Sequence, residues 1–151
     1  MAEQTRSPTA DRNATGTWSG SAGSRYTLVD DYPDDTPNDV LNCSAAGYIT
    51  FTFPAFTIPA GATSISVSVR YYDRVTSAGT AAAAARLDIG ASSSYNATTH
   101  APATTLTQRT DTWANNPRGG TPWTVTEVNG TAINYLRAVG FYLSDASPSV
   151  D

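Results

Sequence analysis

The chain has 151 residues, a formal net charge of -4 at neutral pH and one cysteine. This length suits a single domain that buries its own core, and the lone Cys43 excludes an intrachain disulfide. The nine basic residues are all arginine and form no basic cluster, so we expect no nucleic acid as a partner.

The chain shows no sign of membrane insertion or export. It contains no apolar run long enough to span a bilayer, and its polar start, M-A-E-Q-T-R-S-P, lacks the apolar core of a signal peptide. We expect no membrane partner and synthesis in the cytoplasm without a signal peptide. We also expect Cys43 to behave as a small apolar residue.

The first 24 residues are polar, and Trp18 is their one large apolar side chain. We predict an extended N-terminal arm over residues 1–24, pinned by this indole, and a sandwich domain over residues 25–151. Side chains over residues 25–30 alternate in a way that predicts the first strand.

An acidic segment, D-D-Y-P-D-D-T-P-N-D, occupies residues 30–39. A calcium site is one interpretation, because hard cations bind several oxygen ligands from a short loop. An exposed turn is the other, and the absence of the glycine and distal glutamate of an EF-hand favours it. The candidate calcium ligands are Asp30, Asp31, Asp34, Asp35 and Asp39. We expect no other cofactor.

The clearest structural signal lies in residues 48–73. Every second residue is apolar over 49–53, and isoleucine and valines alternate strictly with serines over 64–69. Prolines in residues 54–62 prevent this connection from continuing either strand. The pattern predicts an all-β, antiparallel sandwich in which each sheet has one solvated face.

Further elements follow along the chain. The alanines of residues 81–89 favour helix by propensity, but a sheet needs a return strand here, and we predict strand. Strands are also predicted over residues 104–110 and 133–144. Residues 124–127, T-V-T-E, match a helix capping box, while Asn129-Gly130 is a hairpin signal, and both interpretations stay open.

The only histidine, His100, lies in residues 91–102, which we predict to be a polar loop. A metal site would need cysteine or a second histidine nearby, so we predict a solvated loop residue. Nucleophilic catalysis would need a base beside an activated serine or cysteine, and no G-x-S-x-G or phosphate-binding loop is present. We therefore expect no enzyme.

Trp113 and Trp123 flank a loop rich in glycine and proline, W-A-N-N-P-R-G-G-T-P-W. Exposed indoles stack on sugar rings, so one hypothesis is a glycan platform that also contains Tyr95 and draws on Tyr71 and Tyr72. The alternative is that both indoles cap the ends of the sandwich core. The large area that tryptophan buries favours the core.

Two stretches carry a resemblance: R-S-P-T-A-D with the following Y-T-L-V-D-D-Y-P-D-D-T-P-N-D, and W-A-N-N-P-R-G-G-T-P-W-T-V-T-E-V-N-G with V-G-F-Y-L-S-D. Together they resemble jelly-roll-like β-sandwich domains of structural proteins in tailed-phage and prophage virions. The resemblance implies a non-enzymatic building block of a virion, either a head decoration protein or a tail or fibre subunit. Its implied partners are further copies of itself and other virion proteins.

Members of that family generally continue past the equivalent of S-D-A-S-P-S-V-D into one further apolar strand. We therefore expect an open sheet edge that another subunit completes, with residues 1–20 as the donor arm. A second hypothesis is a carbohydrate-binding or adhesive module, with the tryptophan platform as its glycan site and calcium held at residues 30–39.

Overall fold

The computed structural model describes residues 3–20, 23–29, 41–75, 81–133 and 135–144, and the backbone of residues 148–150. All the candidate calcium ligands of residues 30–39 lie outside the described residues. The predicted turn over residues 77–80 does so too.

Nearly all the regular structure is extended. The strands are β1 (Ala10–Thr15), β2 (Leu41–Asn42), β3 (Gly47–Thr52), β4 (Val67–Val75), β5 (Ala83–Ile89), β6 (Ser93–Asn96), β7 (Thr107–Trp113), β8 (Asn115–Asn116), β9 (Thr121–Pro122), β10 (Leu136–Leu143) and β11 (Pro148–Val150). The helical elements of the described ranges are a 3-10 turn at Arg25–Leu28 and a helix, α1, at Val125–Val128.

The strands form two main antiparallel sheets, ordered β1-β3-β10-β5-β6 and β2-β11-β4-β7. Apart from β1 and the small β8-β9 hairpin, the chain pairs first strand with last: β2 with β11, β3 with β10, β4 with β7, and β5 with β6. This is a jelly roll, a long antiparallel hairpin wrapped into two facing sheets. The predicted all-β antiparallel sandwich is confirmed.

The core lies between the two sheets. Alternate residues of β4 are buried, as the serine-valine pattern predicted, and the Tyr71 ring of β4 meets Phe141 of β10 with centroids 5.2 Å apart. Every residue of β5 except Arg86 is buried. The alanines at its start let the sheets approach closely, so the prediction of strand over residues 81–89 holds.

The N-terminal segment differs from a free arm. Residues 10–15 form β1 and pair with β3 of the same chain, from Ala10 opposite Thr52 to Thr15 opposite Tyr48. Trp18 is 5% exposed and bridges to Cys43, so its predicted role as a pin is confirmed. The sequence of β1, A-D-R-N-A-T, lacks apolar alternation, because this edge strand is held through its backbone.

Two local predictions are wrong. Residues 25–28 form a 3-10 turn in place of a strand, because Tyr26 and Gly23 donate backbone bonds to the Asp11 side chain. The predicted loop over residues 91–102 contains β6, which pairs with β5. Its sequence, S-S-Y-N, carries one aromatic residue, so hydrophobic period gave no signal.

The last strand position is also filled from within the chain. β11 lies between β2 and β4, so all eight jelly-roll positions are occupied by strands of one chain. The expectation that a partner must complete the sheet at this position does not hold. The capping box is confirmed, since the Thr124 and Glu127 side chains each bond the other's backbone N-H and start α1.

Candidate functional site

The two sheets end in four edge strands, and two of these edges are covered. Along β2, the N-H of Ser19 donates to the carbonyl of Asn42 at 2.8 Å, and Ser44 donates to Thr17 at 2.9 Å. Along β1, the Asp11 carboxylate accepts from Tyr26 at 2.7 Å. We call this side, with β1 and β2, the covered flank.

The opposite side, with β6 and β7, is the open flank. β7 is seven residues long and pairs with β4 on one side, and no described segment pairs with its other side. The side chains of Gln108, Thr110 and Thr112 are exposed. β7 also lacks lysine, proline or a bulge, the features that usually block edge pairing. The open flank is therefore the candidate functional site.

Polar side chains hold β7 firmly from within. Asp111 of β7 accepts from the Tyr71 hydroxyl and from the N-H of Ala85, both at 2.9 Å. Because Tyr71 lies on β4 and Ala85 on β5, this one carboxylate joins the two sheets at the open flank. Burial raises the pKa of Tyr71 far above its ordinary value, and the charge of Asp111 raises it further.

A second buried carboxylate, Asp73 of β4, lies beside this link and is fully inaccessible. Its Oδ2 contacts Nε2 of His100, and its Oδ1 lies 3.2 Å from Nε of Arg109 on β7. A buried charge without such partners would be costly. His100 is 23% exposed and bridges to Ala83, so the prediction of a solvated loop residue is wrong.

These contacts give the site a mechanical role. Asp73 ties β4 to β7 and to the segment after β6, while Asp111 ties β7 to the facing sheet. The edge is thus rigid and preorganised for pairing. Within the described part of the chain, no three His, Cys, Asp or Glu side chains are close enough to hold a metal ion.

The candidate glycan residues are packed against the core. Trp123 is 4% exposed, and its Nε1 donates to the carbonyl of Trp113 at 3.0 Å. Trp113 and Tyr95 are half-buried against the same core, and Tyr71 is buried. This arrangement is the core alternative, and it does not present paired open indole faces.

Cys43 is buried, as predicted, and its thiol donates to the carbonyl of Ala45 at 2.7 Å. Burial raises the pKa of this thiol above its ordinary value, although nearby backbone bonds act in the opposite direction. The neutral thiol therefore predominates at neutral pH.

The sequence analysis missed the residues that hold the open flank. Asp73 carries a detectable signal, because it stands in the buried phase of β4 that contains Val67, Val69 and Tyr71. A carboxylate in that phase demands partners. Arg109 and Asp111 carry a weaker signal, since β7 has few apolar residues to mark its inner face.

Comparisons with models of protein families, with curated proteins and with solved structures gave no match. Among the described residues, no helix has the length and apolar character needed to cross a membrane.

Proposed function

We propose that this chain is a non-enzymatic structural subunit of a tailed-phage virion that assembles through its open flank. The observation that carries the assembly step is the uncovered edge of β7 on an otherwise complete jelly roll. Jelly rolls form many viral capsid domains, but a fold alone does not assign a role. The virion itself rests on the resemblance of the two stretches described above.

Assembly would use strand addition. A strand of a second copy, or of a neighbouring virion protein, would pair with the free backbone groups of β7. One such interface is modest, but a lattice of identical sites multiplies its effect. An exchanged N-terminal arm is a variant of the same idea, in which β1 would leave β3 of its own chain and pair with β3 of another.

Sedimentation velocity tests the role of β7. We expect the unmodified chain to form larger species as concentration rises, and Thr110→Glu with Thr112→Glu to remain monomeric. Both side chains are exposed, and equal charges would face each other in a pair of β7 edges. The matched control is Thr63→Glu with Ser66→Glu, which adds the same charge at exposed positions outside any strand.

Equal assembly of the β7 variant and the control would contradict pairing at β7. Melting temperatures of all three proteins show whether a loss of assembly reflects unfolding. Deletion of residues 3–9 with β1 tests the exchange variant, because exchange requires that segment for assembly, whereas pairing at β7 does not.

Antibody labelling tests the virion assignment. Antibodies raised against the purified chain should decorate phage particles from a lysate of the producing cells, in negative-stain images. Unlabelled particles in a lysate that contains the free chain would contradict a place on the outside of the virion. Mass spectrometry of purified, disrupted particles then decides whether the chain is present inside.

A further inference from the structure

A polar depression lies on the outer face of the five-stranded sheet, away from β7. It has a volume of about 160 Å³ and is lined by side chains from β1, β3 and β5 and by the turn between β5 and β6. That volume equals about five water molecules at ~30 Å³ each, the scale of one sugar ring. The lining residues that matter are Arg12, Arg86, Asp88, Tyr48 and the serines of residues 92–94.

Asp88 is the one carboxylate among the lining residues, and its charge is already matched. It contacts Nη1 of Arg12, accepts from the Ser94 hydroxyl at 2.7 Å, and lies 3.4 Å from Nε of Arg86. Two guanidinium groups therefore share one carboxylate. The depression keeps an excess of one positive charge in a protein whose net charge is -4.

The arginines are fixed in place but have donors to spare. Arg86 lies over the Tyr48 ring at 4.0 Å from its centroid, and its buried Nε makes no hydrogen bond. Every described bond of Arg12 uses Nη1, which leaves Nε and Nη2 without a partner among the described residues. Preorganised guanidinium groups with unused donors favour a planar oxyanion, which they bind through two parallel bonds.

Two further arginines stand at the rim. Nη1 of Arg137 donates to the carbonyl of Ala91 at 2.9 Å. The guanidinium of Arg118 lies where a side chain on Gly90 would be, and Gly90 has φ +61, so glycine is required there on both counts. Four of the nine arginines of the chain thus surround one turn.

We propose that this depression binds a carboxylated sugar residue, with the carboxylate on Arg12 and Arg86. The hydroxyl groups of residues 92–94 and the amide of Asn13 line the same depression and match the hydroxyls of a sugar ring. A carboxylate alone would use the arginines but leave these groups to water. The proposal does not depend on assembly through β7, and either one can fail without the other.

The test is a titration of the full chain followed by two-dimensional NMR of backbone amides and arginine Nε-H groups. The probes are glucuronate, glucose, acetate and inorganic phosphate. Glucuronate should shift the signals of residues 90–94 and of Arg12 and Arg86, whereas glucose should not. Acetate should bind at least about tenfold more weakly than glucuronate, because it lacks the ring hydroxyls.

Two variants locate the site. Arg86→Gln removes the charge and should weaken glucuronate binding by at least about tenfold. Ser92→Asp places a competing carboxylate on an exposed residue of the turn, so it should have the same effect without disturbing the sheet. Ser66→Asp, exposed and outside the depression, is the matched control and should bind glucuronate normally.

Several results would overturn the proposal. If no probe shifts the signals of residues 90–94, the depression is not a ligand site. Equal binding of acetate or phosphate would replace a sugar site with a general anion site. Unchanged glucuronate binding in Ser92→Asp would place the site elsewhere on the chain.

Discussion

The covered and open flanks of the sandwich end their sheets in different ways. On the covered flank, the chain lays its own segments along β1 and β2 and buries Trp18 between them and the core. On the open flank, the chain invests its polar contacts inside the edge, where Asp73 and Asp111 bind β7 to its neighbours. The outer backbone of β7 meets no described segment.

The difference shows that a sheet edge can be stabilised without being covered. An uncovered edge ordinarily invites uncontrolled pairing, and proteins usually block it. Here the inward charges of β7 fix its position and leave its outer side regular. This combination suits an edge that pairs with one defined partner.

The largest effect should come from removing the pin of the covered flank. Trp18→Ala deletes a buried indole and its bond from Nε1 to the carbonyl of Thr15, 2.7 Å away. We expect a loss of about 3–5 kcal/mol in the free energy of unfolding, measured by urea denaturation. Trp18→Phe keeps most of the apolar volume and should lose clearly less. Equal losses would mean that the indole bond, and not burial, holds this flank.

The same comparison explains how much of the fold the sequence predicts. β3, β4, β5 and β10 carry apolar residues in regular phase, and their patterns predicted the central strands. β1, β6 and β11 are short or polar and owe their place to backbone bonds with those central strands. Local period cannot reveal a strand that its neighbours create.

The candidate sites were harder to predict than the fold. Trp113 and Trp123 attracted attention as aromatic residues, yet packing uses them in the core. The open flank is defined by what lies beside β7, and the arginine depression by residues up to 82 positions apart in sequence, from Arg12 to Ser94. Such sites depend on topology, which a single sequence specifies only indirectly.

A smaller effect is expected at the open flank. His100→Ala removes one of the two charged or polar partners of the fully buried Asp73 and leaves Arg109. The free energy of unfolding should fall by about 1.5–3 kcal/mol in urea denaturation, the range for a bond to a charged group. The control is Thr99→Ala, an exposed neighbour. A stability equal to that of the control would deny the Asp73 contact a role in fixing this flank.

On the covered flank, Asp11→Ala should free the 3-10 turn from β1. The lost contacts are two backbone bonds to an exposed or half-buried carboxylate, so we expect about 1 kcal/mol in the same measurement. Asp11→Asn retains one acceptor oxygen and should recover part of that loss. No difference between the alanine variant and the unmodified chain would show that the turn stays in place without Asp11.

The smallest effect appears only at high pH. Folding raises the pKa of Tyr71 from its ordinary value of 10.0, so the folded state holds this proton more tightly than the unfolded state. Its contribution is therefore complete below pH 10 and decreases as the pH rises above 10. In Tyr71→Phe, thermal melts should lose stability less steeply over that range. Parallel pH profiles in the two proteins would contradict the buried, protonated phenol.

Hydrogen-deuterium exchange across a concentration series tests pairing at β7 most directly. As the protein assembles, amides of the peptide that covers Thr107–Trp113 should become protected, while those of β1 should exchange at an unchanged rate. Assembly with no added protection in β7, or with protection confined to β1 and β3, would contradict the open flank as the assembly edge.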